Sequence, residues 1–373
     1  MTTDSRRSPW RDVLSRAPGL AWIRADFGLF GWGESIRVDP GTGADRFDRA
    51  LRELKANGAP AAFASFTFDE NAAGSIVVVP QVMVRIDRGA TTYLIGTATD
   101  LPEPVAGVPM PRGRLAGDSH DGWATKVEGA LSAIRAGEVE KVVLSRRLTV
   151  ELDGEIPSHV VLARLAAAEP DSHTFLVDRF VGSSPELLVS LHDGLARSIS
   201  LAGSADLDDP AGLSSFQTSK MSREHTLAAD SVEEALRRFS PRLMRSPISV
   251  ATYGDIRHLS TIFEGVTHPG TRITELLSAL HPTAAVAGTP TKPALELIGE
   301  LEGHDRGRYA GPVGWLDPAG EGEFAIALRC GQLHGRSATL HAGAGIVEGS
   351  DPETEFAETR IKLRPMLTAL GLS

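Results

Sequence analysis

The sequence predicts an α+β fold, a single domain with antiparallel sheets in a central core and helices packed outside. Three observations lead there. Strand-like runs follow one another directly, as AAFASFTF is followed by GSIVVVPQVMVRI, so steady βαβ alternation is missing. Helical periodicity comes in separate stretches between such runs. The 373 residues are 42% hydrophobic and 23% charged, which is enough apolar material for a real core.

The opening, MTTDSRRSPWRDVL, lacks the apolar stretch of a signal peptide. Two strand-like runs then lead to LPEPVAGVPMPRGRLAGDSHDG (101–122). This segment is rich in Pro and Gly and poor in periodicity, and reads as a long connection. It sets residues 1–110, a variable N-terminal part of the same fold, apart from a core at 115–371. Next come an amphipathic helix in WATKVEGALSAIRAGE and the strand KVVLSRRLTVEL. Further strands are expected in HTFLVDRF, PELLVSL, SPISVATYG, FAIALRC and SATLHAGAGIV. Helices are expected in SHVVLARLAAA, SKMSREHTLAADSVEEALRRF, RITELLSAL, TKPALELIGEL and the C-terminal segment.

Composition excludes several functions. Net charge is −10, from 38 basic and 48 acidic side chains, and no dense basic cluster offers a nucleic-acid surface. No run of ~18 apolar residues suggests a membrane span. Cys330 is the only cysteine, which excludes an internal disulfide and suits a reducing cytoplasm. HExxH, paired CxxC and P-loop motifs are absent. GAGIVEG (343–349) has the wrong spacing for a dinucleotide fingerprint, and reads either as a tight turn or as backbone N–H groups able to hold an anion.

Carboxylates stand where apolar side chains are expected. Wound at 100° per residue, 219–239 puts Met221, Ala228, Val232, Ala235 and Phe239 on one stripe, with Glu224 inside it. An ionised carboxylate there is costly unless something positive meets it. In ETEFAETRIKL, Glu355 and Glu358 border the apolar side made by Phe356, Leu363, Met366, Leu367 and Leu370. Glu358 and Lys362 either form a surface i, i+4 ion pair or, with Glu224, Glu358 holds a hard cation. On the strand from Lys141, even positions form the packed face. Lys141 therefore lies on the other face, either solvated or lining a closed cavity.

Read together, KVVLSR, GSSPELL, SLAGSA, REH, FEG, LHPTAAVAG, GWLD, FAIALRC, HAGAGIV and ETEFAETRIKL resemble the chorismate-utilising enzymes of menaquinone, siderophore and tryptophan biosynthesis. The likeness covers roughly 115–371 and is loose before it. It implies a layered α/β domain that binds chorismate with Mg²⁺. By motif, Glu224 and Glu358 would be the Mg²⁺ ligands, with Glu355 as an outer carboxylate; Met221 stands where relatives often have the other outer acid. Lys362, Arg329 and the amides of Gly343, Ala344 and Gly345 would hold the substrate carboxylates. Gly203, Ser204 and His258 would line the pocket. Lys141 resembles the branch that activates water, where anthranilate synthases usually have Gln. In that branch Lys141 would be the general base and Glu186 the general acid. The resemblance therefore implies an isochorismate synthase, active in the cytoplasm as a monomer and needing no glutaminase partner. Salicylate synthases tend to have Thr at Ala285 and Tyr at Tyr309, so this chain matches them at one position only. The remaining alternatives are an anthranilate synthase large subunit and a non-catalytic chorismate binder.

Overall fold

The computed structural model describes residues 10–117, 120–207 and 219–372. Two large antiparallel sheets organise them. The eleven-stranded sheet runs in the order Gly288–Thr289, Lys141–Leu152, Ser337–Val347, Cys330–His334, Phe180–Ser184, His173–Val177, Leu20–Arg24, Phe27–Trp32, Val82–Asp87 and Ala90–Ile95; Gly113–Gly117 adds beside Lys141–Leu152. The ten-stranded sheet runs Met244–Arg245, Ile256–Val266, Leu195–Asp206, Leu187–His192, Gly322–Ile326, Pro312–Leu316, Ala62–Ser65, Ile76–Val79 and Ile36–Val38, with Ser249–Tyr253 paired to Ile256–Val266. Both sheets draw strands from either side of residue 110, so the chain is interwoven as one domain.

The core explains this layering. Trp22 and Phe175 of one sheet and Phe63, Leu188 and Phe324 of the other belong to one buried cluster. Within it sits a carboxylate, Glu323. It accepts from Trp22 Nε1 (3.0 Å) and Arg24 Nε (2.7 Å), with His173 and His192 Nε2 at 3.8 and 3.7 Å. Burial alone would raise this acid. The His192 imidazole, His173, Arg24 and the Trp22 N–H outweigh burial and bring it down to about 2. Glu323 thus ties the two sheets together through a buried charge.

Helices lie against the sheets. Ser219–Arg237 packs on Leu195–Asp206, Pro352–Ala369 on Ser337–Val347, and Thr291–Glu302 on Lys141–Leu152. Among the described residues no helix is long and apolar enough to cross a membrane.

Some expectations change. The connection after residue 100 ends at 112, because Gly113–Gly117 pairs with Lys141–Leu152; residues 118–119 lie outside the described residues. HTFLVDRF is a hairpin and not one strand: Asp178 and Arg179 take φ values of 52° and 58°, as a two-residue turn requires. FAIALRC is interrupted, with Arg329 at φ 46° between Gly322–Ile326 and Cys330–His334. GAGIVEG is no tight turn through Val347, since Gly343 and Gly345 continue the Ser337–Val347 strand.

Candidate active site

The cavity opens at the end of Ser337–Val347. On this strand Cys330–His334 reaches only Ser337–Leu340, so from His341 onward one edge has no neighbouring strand among the described residues. Alternation puts His341, Gly343 and Gly345 on one face, and all three line the cavity. Ala344 has the opposite parity: its side chain lies in the core and its backbone faces Leu144 of the neighbouring strand, so the expectation that its amide serves the substrate does not fit this geometry. Gly345 is required by packing: an added Cβ would lie 2.2 Å from Glu224 Oε1 and 3.1 Å from Lys141 Cε.

Glu224 reaches this point because its helix is anchored one residue later. His225 Nε2 lies 2.7 Å from Thr261 Oγ1, fixing Ser219–Arg237 against the sheet. Ala228, Val232 and Ala235 are buried, as the stripe predicts. Lys141 is 0% exposed, so the solvated alternative falls. The first six residues of its strand are buried on both faces. Its Nζ lies 3.2 Å from Glu224 Oε1 and makes no hydrogen bond among the described residues.

The C-terminal helix supplies a matching pair. Lys362 Nζ lies 2.6 Å from Glu358 Oε1, with both side chains about one-fifth exposed. The same ammonium donates to Gly343 O at 3.0 Å. The i, i+4 pair therefore forms, but at the cavity and not on an outer surface. Since Gly343 and Gly345 are two residues apart on one face, Glu224 and the Lys362–Glu358 pair meet the same short length of strand. Glu355 is buried one turn before Glu358. Among the described residues no three His, Cys, Asp or Glu side chains gather as a ready-made metal cage. Two carboxylates completed by water and substrate oxygen still suit a hard cation, and the space left by the absent Cβ of Gly345 receives one of them.

Glu186, Arg329 and His258 also line the cavity. Glu186, 4% exposed, accepts from Leu201 N at 3.2 Å. Burial lifts its carboxyl to about 7, against the Leu201 hydrogen bond and the positive charges of Lys141, Lys362 and Arg329. Near neutral pH it is therefore about half protonated. Arg329 Nη2 donates to His258 Nε2 (2.5 Å), and His258 Nδ1 donates to Gly203 O (3.0 Å). Gly203, at φ 66°, sits at a break in strand register that aims this carbonyl at the imidazole. Burial, then Arg329 and Lys362, hold His258 well below its ordinary range, so it is neutral and can accept from Arg329. Burial brings Arg329 down to about 10, still charged at neutral pH. Its Nη1 is buried without a partner beside the cavity, ready for an anion. Ser204, Ala285 and Tyr309 also line the wall.

Two features went unread in the sequence. His341 stacks on Tyr309 (5.0 Å, 15°), and strand parity with Gly343 could have flagged it. Behind the cavity, Glu302 accepts from Ser145 N (2.6 Å) and Arg306 Nη2 (2.6 Å). Arg306 in turn donates to Val286 O (2.8 Å) and Val143 O (2.7 Å), two cavity-wall residues. No local pattern announces that network.

Comparison with known proteins identifies relatives of this chain. A family model described as "Chorismate binding enzyme" matches residues 111–371. The chain is 34% identical over 352 residues to the isochorismate synthase DhbC of Bacillus subtilis, covering 88% of this chain and 85% of that protein. It is 36% identical over 263 residues to the isochorismate synthase MenF of the same organism; the match takes in 67% of this chain and spans only 56% of that relative. The crystal structure of a putative 2,3-dihydroxybenzoate-specific isochorismate synthase, DhbC from Bacillus anthracis, superposes with a TM-score of 0.84 at 29% identity, covering 97% of this chain and 99% of that one. The chain therefore belongs to the chorismate-binding enzyme family.

Proposed function

We propose that this chain is an isochorismate synthase: it adds water at C2 of the chorismate ring while the C4 hydroxyl leaves and the double bonds shift. The observation that carries the reading is a cavity lined by Glu186, whose carboxyl burial lifts to about 7, and by Glu224, which the fully buried Lys141 meets at 3.2 Å. Water is a weak nucleophile and hydroxide a poor leaving group, so the reaction needs a base at one end of the ring and an acid at the other. Lys141 is the base that takes the proton from water. Glu186 is the acid that gives its proton to the departing hydroxyl. Each is worth ~10²–10⁴-fold.

Arg329, held by His258, takes one substrate carboxylate on its unpartnered Nη1. Lys362 and the free-edge amides of Gly343 and Gly345 take the other, beside Glu224 and Glu358. Those two glutamates, with Glu355 behind them, would hold Mg²⁺, which when bound offsets the ring carboxylate's charge. No glutaminase partner enters the scheme, because the nucleophile is water. Tyr309 is the one feature favouring a second reading, in which pyruvate is then expelled to form salicylate. The test is to incubate the protein with chorismate and Mg²⁺ and analyse products by mass. An isomer of chorismate at a new retention time supports the proposal, loss of pyruvate the second reading, and a fluorescent aminobenzoate defeats both.

A further inference from the structure

Each glutamate assigned to the cation is paired with a lysine, and one member of each pair, Glu224 and Lys362, lines the cavity. Glu224 Oε1 lies 3.2 Å from Lys141 Nζ, and Glu358 Oε1 lies 2.6 Å from Lys362 Nζ. The two pairs come from four different places in the chain: the Lys141–Leu152 strand, the Ser219–Arg237 helix, and successive turns of the Pro352–Ala369 helix. Lys141 Nζ is completely buried and, among the described residues, makes no hydrogen bond, so the ion pair with Glu224 is what compensates its charge. Lys362 keeps a second partner in Gly343 O.

From this arrangement we propose that Lys141 and Lys362 are placeholders for the cation, so that cation binding and lysine availability are coupled. The inference rests on the metal assignment made under the proposed function. With no cation bound, two ammonium groups neutralise the two carboxylates and spare the cavity a pair of uncompensated negative charges. When the carboxylates turn to a divalent cation, both ammonium groups lose their counter-charge at once. Lys362 is then free to take the substrate carboxylate while staying on Gly343 O, and Lys141 is released from Glu224. Cation and anionic substrate thereby favour each other's binding, and such coupling is reciprocal. The same lysines oppose the cation directly while no anion is present, because a positive charge a few ångströms from a metal site lowers its affinity.

The test is direct titration with Mn²⁺ as the probe, followed by paramagnetic resonance and calorimetry in the absence of any substrate. Wild type is compared with Lys362→Met, Lys141→Met and the charge-retaining Lys362→Arg, with circular dichroism confirming that each is folded. Removing either ammonium is expected to tighten Mn²⁺ binding roughly ten-fold, and Lys362→Arg should stay near wild type. Lys362→Met also serves if Lys141→Met fails to fold. Wild-type binding with equal or weaker affinity in both methionine variants overturns the placeholder role and leaves the metal assignment standing. Binding by the methionine variants alone supports it. Absence of binding in all four proteins overturns the metal assignment and this inference together.

Discussion

Replacing Glu186 by Gln should make the protein more stable at neutral and higher pH while removing its activity. Burial raises this carboxyl from 4.5 to about 7 in the folded state. The folded protein therefore holds a proton that the unfolded chain has lost, throughout the window between those values. The contribution of this group is fully present below about pH 4.5 and is lost as pH rises through about 7. At about 1.4 kcal/mol per pH unit, keeping Glu186 ionised inside the cavity costs roughly 3 kcal/mol at pH 8. Gln keeps the shape and can still accept from Leu201 N, but carries no charge. Urea denaturation of both proteins from pH 4 to pH 8.5 reads the difference. The variant should gain up to roughly 3 kcal/mol at the alkaline end, and the gap should close near pH 4.5. Parallel turnover assays should show activity lost by at least ~10²-fold. A stability gap that does not change with pH would refute the burial argument, and retained turnover would refute the acid assignment.

Lys141→Ala should abolish water addition with the fold intact, as checked by product analysis beside circular dichroism. Glu358→Gln should raise the Mg²⁺ concentration needed for half-maximal turnover more than it lowers turnover at saturation, read from cation titrations. Gly345→Ala should drive a methyl group into the Glu224 carboxylate, 2.2 Å from Oε1, and weaken Mn²⁺ affinity by ~10-fold or more in a direct titration. Glu323→Gln should lose acid-sensitive stability. The Glu323 pKa is depressed from 4.5 to about 2, so its contribution is present above pH 4.5 and fades as pH falls toward 2. Wild type should exceed the variant by roughly 3 kcal/mol at pH 6 and by little near pH 2, measured by urea denaturation.

Much of the fold is legible where apolar pattern and burial agree. KVVLSRRLTVEL, SATLHAGAGIV and SHVVLARLAAA begin and end where the structure puts them. Glu224 was conspicuous because a carboxylate broke an otherwise apolar stripe, and the structure supplies the lysine that this requires. Other features depend on partners distant in sequence. Alternation along the Lys141 strand marks one packed face, but residues 141–146 are buried on both, with Thr291–Glu302, distant in sequence, among the elements packed against the strand. Leu20–Arg24 and Leu195–Asp206 were not identified as strands, and the latter holds the register break at Gly203 that sets His258. HTFLVDRF hid a turn because Asp178 and Arg179 carry no Gly or Asn to mark it.

The central claim is that buried Lys141 and protonated Glu186 act on opposite ends of one substrate, the first taking a proton from the attacking water and the second protonating the C4 hydroxyl so that it leaves as water. Turnover of chorismate in ¹⁸O-labelled water, followed by mass spectrometry of the product, tests this most directly. The account predicts a chorismate isomer carrying one oxygen from the solvent, formed by wild type and by neither Lys141→Ala nor Glu186→Gln. An unlabelled isomer, or a labelled one still made at the wild-type rate by Lys141→Ala, would contradict it.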